Sequence, residues 1–264
     1  MTNTAAPPVN FDMGRVISAG FGVLVRRPLP ILLLALALGY LPAVAVGWAT
    51  GHLAGPAPQP GVAPDLGATF QRLGIIECIA FVAAGFSWIL HGGVAVVATA
   101  DAAGRSAEIG DQLTRLLTRS PLIFVTGIVA TLAIFLGTLL LIVPGVLLSL
   151  AWIVCPAVAA VEGKGFMDIF RRSAELTRGN RGALFGIALL FGIASIVLSF
   201  VLRLAVGVPM LATGALPPLL TYVLQPALSA ALAAIIASIY AAAYLELRGV
   251  KEGFVAGGVA SVFD

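Results

Sequence analysis

Six runs of mostly apolar residues, at about 29–49, 73–99, 122–143, 145–161, 183–207 and 217–245, dominate this chain. Each is close to the roughly 20 residues that a helix needs to cross the hydrocarbon core of a bilayer. Composition agrees: 60 % of residues are apolar and 10 % charged, against about 25 % charged in ordinary globular chains. So little polar surface cannot coat a water-soluble particle. With a net charge of only +3, intrinsic disorder is excluded too. The 30 glycines and 16 prolines follow no G-x-y period, and both residues are tolerated in lipid-embedded helices. The expected fold is all-α: a polytopic membrane protein with six transmembrane helices as three hairpins, each preceded by a short interfacial amphipathic helix.

Orientation follows from the basic residues, which accumulate in cytoplasmic loops. With six spans, thirteen fall on one side: Arg15, Arg26, Arg27, Arg105, Arg115, Arg119, Lys164, Arg171, Arg172, Arg178, Arg181, Arg248 and Lys251. Only Arg72 and Arg203 fall on the other. Both termini are therefore expected in the cytoplasm, and the basic balance points to a membrane surface, not to nucleic acid. Residues 1–10 are read as a disordered N-terminus, 11–254 as one six-span membrane domain and 255–264 as a cytoplasmic tail. Within the domain, 50–72 contains GPAPQPGVAP (Gly55 to Pro64) and reads as an external Pro/Gly-rich loop. Residues 26–45 have the basic start and apolar run of a secretory signal. About 25 residues precede them, long for such a signal, and they are read as the first span.

A short pattern recurs before each hairpin: Leu24-Val25-Arg26-Arg27-Pro28-Leu29, Leu117-Thr118-Arg119-Ser120-Pro121-Leu122 and Leu176-Thr177-Arg178-Gly179-Asn180-Arg181. It suggests three copies of one module. The third lead-in is the clearest: Phe166, Ile169, Phe170, Ser173 and Leu176 form one stripe, with Asp168, Arg171, Arg172, Glu175 and Arg178 opposite. Asp168 with Arg172 and Arg171 with Glu175 are spaced to pair, and Gly179-Asn180 ends the helix. An apolar stripe backed by a basic face, beside a span, belongs in the headgroup layer. Its arginines are candidates to bind anionic lipid headgroups, at about 1 kcal/mol each.

Ionisable groups inside spans are costly and are functional candidates by default. Glu77 lies one turn inside the second span. His91 is deeper, beside Gly92-Gly93, which lets a neighbouring helix approach closely. Gln225-Pro226 can kink the sixth span. Arg203 and Glu246 sit near span ends and are expected to snorkel outward. Cys78 and Cys155 lie in spans and are expected to be free thiols, with no second Cys or His at metal-ligand spacing. Neither G-x-x-x-x-G-K-[ST], G-x-S-x-G nor H-E-x-x-H occurs. The chain is read as non-enzymatic, without cofactor or metal.

The stretch from Leu139 to Arg181, LLLIVPGVLLSLAWIVCPAVAAVEGKGFMDIFRRSAELTRGNR, carries polar residues in a definite order around a span. It resembles the membrane-domain family found fused to some bacterial glycerophosphoryl diester phosphodiesterases. The resemblance rests on Pro144-Gly145, Trp152, Pro156, Glu162-Gly163, Arg172-Ser173, Leu176-Thr177 and Gly179. The sequence departs from that pattern at Ala174, where the family often has an aromatic residue, and it has no phosphodiesterase domain. The resemblance implies a six-span bacterial inner-membrane protein linked to phospholipid metabolism. Read physically, Pro144-Gly145 makes the hairpin turn, Pro156 bends the fourth span, and Glu162 meets Arg171 or Arg172.

The leading functional expectation is an integral inner-membrane protein that binds phospholipid headgroups or a membrane protein partner through its basic cytoplasmic face. Glu162, Arg171, Arg172, Arg178 and Arg181 are the expected contacts. The alternative is a transporter or lipid-translocating permease with Glu77, His91 and Gln225 along a path.

Overall fold

The computed structural model describes residues 10–53, 65–104, 109–213 and 218–253. The expected N-terminal disorder, residues 54–64 of the external loop expected at 50–72, Arg105 and the tail at 255–264 lie outside the described residues, as do the side chains of His52 and Arg203; the flanks of that loop, 50–53 and 66–72, are helical instead. The described residues are helical, without a strand: α1 (Met13–Arg26), α2 (Pro28–Leu34), a π-helical segment (Ala35–Tyr40), α3 (Leu41–Leu53), α4 (Leu66–Ala102), α5 (Ile109–Leu140), α6 (Ile142–Trp152), α7 (Cys155–Val161), α8 (Phe166–Thr177), α9 (Arg181–Thr213), a second π-helical segment (Leu220–Leu224) and α10 (Gln225–Glu252). Six helical runs are long and apolar enough to cross a membrane: Pro28–Ala49, Leu66–Ala102, Thr114–Leu140, Ile142–Val161, Arg181–Leu202 and Tyr222–Glu252. The chain is an all-α polytopic membrane protein.

Lipid tails are as apolar as leucine, so spans associate through close approach more than through hydrophobic burial. The central helices α4 and α10 carry small residues for this purpose. On α10, Ala230, Ala234, Ala237, Ser238 and Ala241 form one buried stripe. On α4, Gly92 lies so close to α7 that a Cβ there would stand 3.1 Å from the Pro156 carbonyl oxygen and 3.2 Å from the Ala160 Cβ. Two buried hydroxyls in the spans turn back on their own helices: Thr126 donates to the Leu122 carbonyl at 2.7 Å and Ser238 to that of Ala234 at 2.9 Å.

Three sequence expectations are corrected. The second lead-in is not a separate helix, because α5 runs on through Pro121. Proline removes one N–H and leaves the carbonyl four residues back unserved; here the Ser120 hydroxyl donates to that Leu117 carbonyl at 2.9 Å. Next, the hairpin between the third and fourth spans turns at the extended residue Leu141, not at Pro144-Gly145. Pro144 sits in the first turn of α6, where its missing donor costs nothing. Gly145 lets α6 touch α5, since a Cβ there would lie 2.7 Å from the Thr138 backbone nitrogen.

Third, the apolar face of α8 is covered by protein, not turned to a headgroup layer. Ile169, Ser173, Leu176 and Thr177 are buried, and Phe170 stacks on Trp152 with ring centroids 4.8 Å apart. The seat is a break in the fourth span at Ile153-Val154, ahead of Pro156. Near that break the Ala151 carbonyl accepts from the Ser173 hydroxyl at 2.8 Å and from Thr177 at 3.5 Å. Burying Ile169 and Leu176 contributes about 1.5–3 kcal/mol each. At its far end α8 stops as expected, with Gly179 at φ 90° and the Asn180 N–H donating to the Thr177 carbonyl at 3.1 Å.

Candidate lipid and partner interface

The basic residues gather at one end of the bundle, and most of those described are engaged within the chain. Tyr244, Arg248 and Glu252 recur every four residues and share one face of α10. Against that face stand Glu162, just past α7, and Arg172 on α8. Arg172 Nε donates to Glu162 at 2.9 Å, and its terminal nitrogen bonds Glu252. The Tyr244 hydroxyl donates to the other Glu162 oxygen at 3.0 Å, and Arg248 donates to Glu252 at 3.0 Å. The Glu162 side chain is 9 % exposed and that of Arg172 is 23 % exposed. Burial by itself disfavours the Arg172 charge, but its bonds to Glu252 and Glu162 outweigh it and hold the guanidinium above its ordinary pKa. The cluster clasps α7, α8 and α10 together.

Of the two candidates to meet Glu162, the structure selects Arg172. Arg171 points outward and pairs along its own helix, with Asp168 at 3.0 Å and Glu175 at 4.0 Å. The expected pair of Asp168 with Arg172 does not form, because Arg172 is drawn inward. These exposed pairs contribute little, about 0–1 kcal/mol.

Two further clasps were not expected. Arg26 and Arg27, at the start of the first span, close on Asp101 at the end of α4, at 2.7 and 3.0 Å. Arg15 on α1 donates to Glu246 on α10 at 3.1 Å, so Glu246 is paired, not merely snorkelled. That bond, acting against burial, lifts Arg15 above its usual pKa. Asp12 caps α1 by accepting from the Arg15 N–H at 2.8 Å, and this bond lowers its pKa. Arg119 lies along Gly163, whose φ of +70° favours glycine, and reaches the Ala159 carbonyl at 3.4 Å. A cation at the C-terminal end of α7 is favourably placed.

Lys164, Arg178 and Arg181 make no ion pair among the described residues. They bracket α8, Lys164 before it and the other two in the turn to α9. The Nε of Arg181 is buried, with no hydrogen-bond partner among the described residues. Among the expected contacts, the structure therefore places Glu162 and Arg172 inside a clasp, Arg171 in exposed pairs, and Arg178 and Arg181 outside any pair.

The residues of the alternative path are not brought together. Glu77 is exposed and stands 14 residues before His91 on α4, about 21 Å along the axis. Gln225 is exposed where the second π-helical segment gives way to α10. His91 is half-buried; its Nδ1 bonds the Ser87 carbonyl at 2.7 Å, and its ring lies 6.0 Å from that of Tyr240. Both cysteines are free, Cys78 exposed and Cys155 buried.

Six apolar helical runs define a multi-pass membrane protein. No family model, curated protein or solved structure matches the chain.

Proposed function

We propose that this protein is a non-enzymatic, integral protein of a bacterial cytoplasmic membrane, with both termini cytoplasmic, that binds anionic phospholipid headgroups at its basic end. The observation that carries this reading is that Arg178 and Arg181, in the turn from α8 to α9, and Lys164, just before α8, make no ion pair among the described residues. A phosphate oxygen is the acceptor best matched to a guanidinium. Each basic residue near an anionic surface contributes about 1 kcal/mol. Binding thus shifts from Glu162, Arg171 and Arg172 towards Lys164, Arg178 and Arg181. The resemblance to the membrane domains of glycerophosphoryl diester phosphodiesterases supports the same ligand class.

Native mass spectrometry of protein released gently from its own membrane tests the proposal. The wild type should retain anionic phospholipid, and a variant with Lys164, Arg178 and Arg181 all changed to glutamine should retain less. Equal retention would refute the proposal, as would a wild type that carries none. A stoichiometric protein in place of the lipid would favour a membrane partner at the same surface.

A further inference from the structure

The first span stands partly away from its neighbours. Between α2 with its π-helical continuation and helices α4 and α5 lies a crevice of about 370 Å³, lined by Pro30, Leu34, Ala37, Val97 and Leu116 among others. That volume falls in the range of ligand pockets, about 300–1,000 Å³, and every lining side chain is apolar. Leu33, Leu36 and Leu41 on its lip are exposed, so it opens sideways from the bundle. Gly93 sets its depth: a Cβ there would lie 3.0 Å from the Leu116 side chain and 3.1 Å from that of Leu34.

One helical turn beyond Val97, on the same face of α4, stands Asp101. Here the two guanidiniums of Arg26 and Arg27 share one carboxylate. The Asp101 side chain is 8 % exposed, whereas those of Arg26 and Arg27 are 58 % and 39 % exposed. Arg26 and Asp101 also line a neighbouring cavity between α1, α4 and α10, together with Arg15 and Glu246. Arg27, three residues before the crevice-lining Pro30, is the cation next to the crevice. The two arginines and Asp101 keep one net positive charge, and each guanidinium has five N–H donors, more than a single shared carboxylate occupies.

We infer that this crevice takes one acyl chain of an anionic phospholipid, with the phosphate lying on Arg26 and Arg27. A polar metabolite would find no partner on its walls, and a helix some 10 Å across does not enter a slot of this volume. An apolar chain tied to an anionic group matches both the lining and the charge at one end. The inference rests on the reading of the protein as a phospholipid binder, but the site lies apart from Lys164, Arg178 and Arg181.

The test is native mass spectrometry after reconstitution in vesicles of equal parts dioleoylphosphatidylglycerol and dioleoylphosphatidylcholine. Ala37→Phe fills the crevice from its open side, and Ala37→Ser leaves it open. The Phe variant should lose one phosphatidylglycerol per chain that the wild type and the Ser variant keep. The variant with glutamine at 164, 178 and 181 should keep that lipid while losing others; if it loses none while Ala37→Phe still loses one, the headgroup site fails and the crevice stands. Unchanged phosphatidylglycerol in Ala37→Phe, or loss of phosphatidylcholine in its place, would overturn the inference. A second variant that adds no bulk covers a misfolded Phe variant. Arg27→Gln leaves Asp101 paired with Arg26 and removes the net positive charge, and it should lose the same phosphatidylglycerol; unchanged retention would overturn the inference.

Discussion

At the scale of single residues, the basic end divides into side chains that hold the protein together and side chains left to meet something else. Glu162 binds both Arg172 and Tyr244 from a nearly buried position. Glu162→Gln should therefore lower stability by about 2–3 kcal/mol, since removing one partner strands the other in a poorly solvated place. Arg171→Gln should change it by less than about 0.5 kcal/mol, its pairs being exposed. Thermal unfolding in detergent distinguishes the two. The sequence left Arg171 and Arg172 as equal candidates, yet a signal was present. Arg172 is three residues after Ile169 and four before Leu176, at the edge of the buried stripe, and Arg171 lies away from it. Asp101 could have been found likewise, as it continues the face of Val94 and Val97 on α4. Two tyrosines, Tyr240 and Tyr244, flank Ala241, Ala242 and Ala243, and no spacing distinguishes the one that reaches Glu162. What no spacing shows is which acid each arginine reaches, because Glu252 is 80 residues from Arg172 in the chain.

At the scale of elements, the spans were legible and the connectors less so. Apolar length alone locates the six runs. Whether a lead-in is a separate helix depends on a single side chain: Ser120 serves the carbonyl abandoned by Pro121, and α5 continues. The amphipathic stripe of α8 was equally clear, but periodicity reports an apolar face and not what covers it. Its cover is the broken fourth span, whose Ala151 carbonyl takes the Ser173 hydroxyl. Docking of α1 depends on one glycine, because a Cβ at Gly20 would lie 2.8 Å from the Ile239 Cα. Gly20→Val should lift α1 from α10 and speed amide hydrogen exchange across residues 13–26. Gly182, near the start of α9, meets nothing within 4 Å. Gly182→Ala should be neutral or stabilising, by up to about 1 kcal/mol from helix propensity, with α1 exchange unchanged.

At the scale of the whole molecule, the charge asymmetry predicts an orientation with the basic end in the cytoplasm. Cysteine introduced at Lys164 should resist an impermeant maleimide in intact cells and react once the membrane is opened; one introduced at Asp65 should react from outside. Cys78→Ala supplies the background, and Cys155 is buried. The reverse pattern would invert the topology. The central claim is that clasp and ligand contacts are different residues, which measuring stability and lipid retention together in two variants tests most directly. Arg172→Gln should lose thermal stability and keep its anionic phospholipid. The pair Arg178→Gln with Arg181→Gln should keep stability and retain less anionic phospholipid. An Arg172 variant that sheds lipid at normal stability, beside an Arg178/Arg181 variant that retains it, would contradict the account.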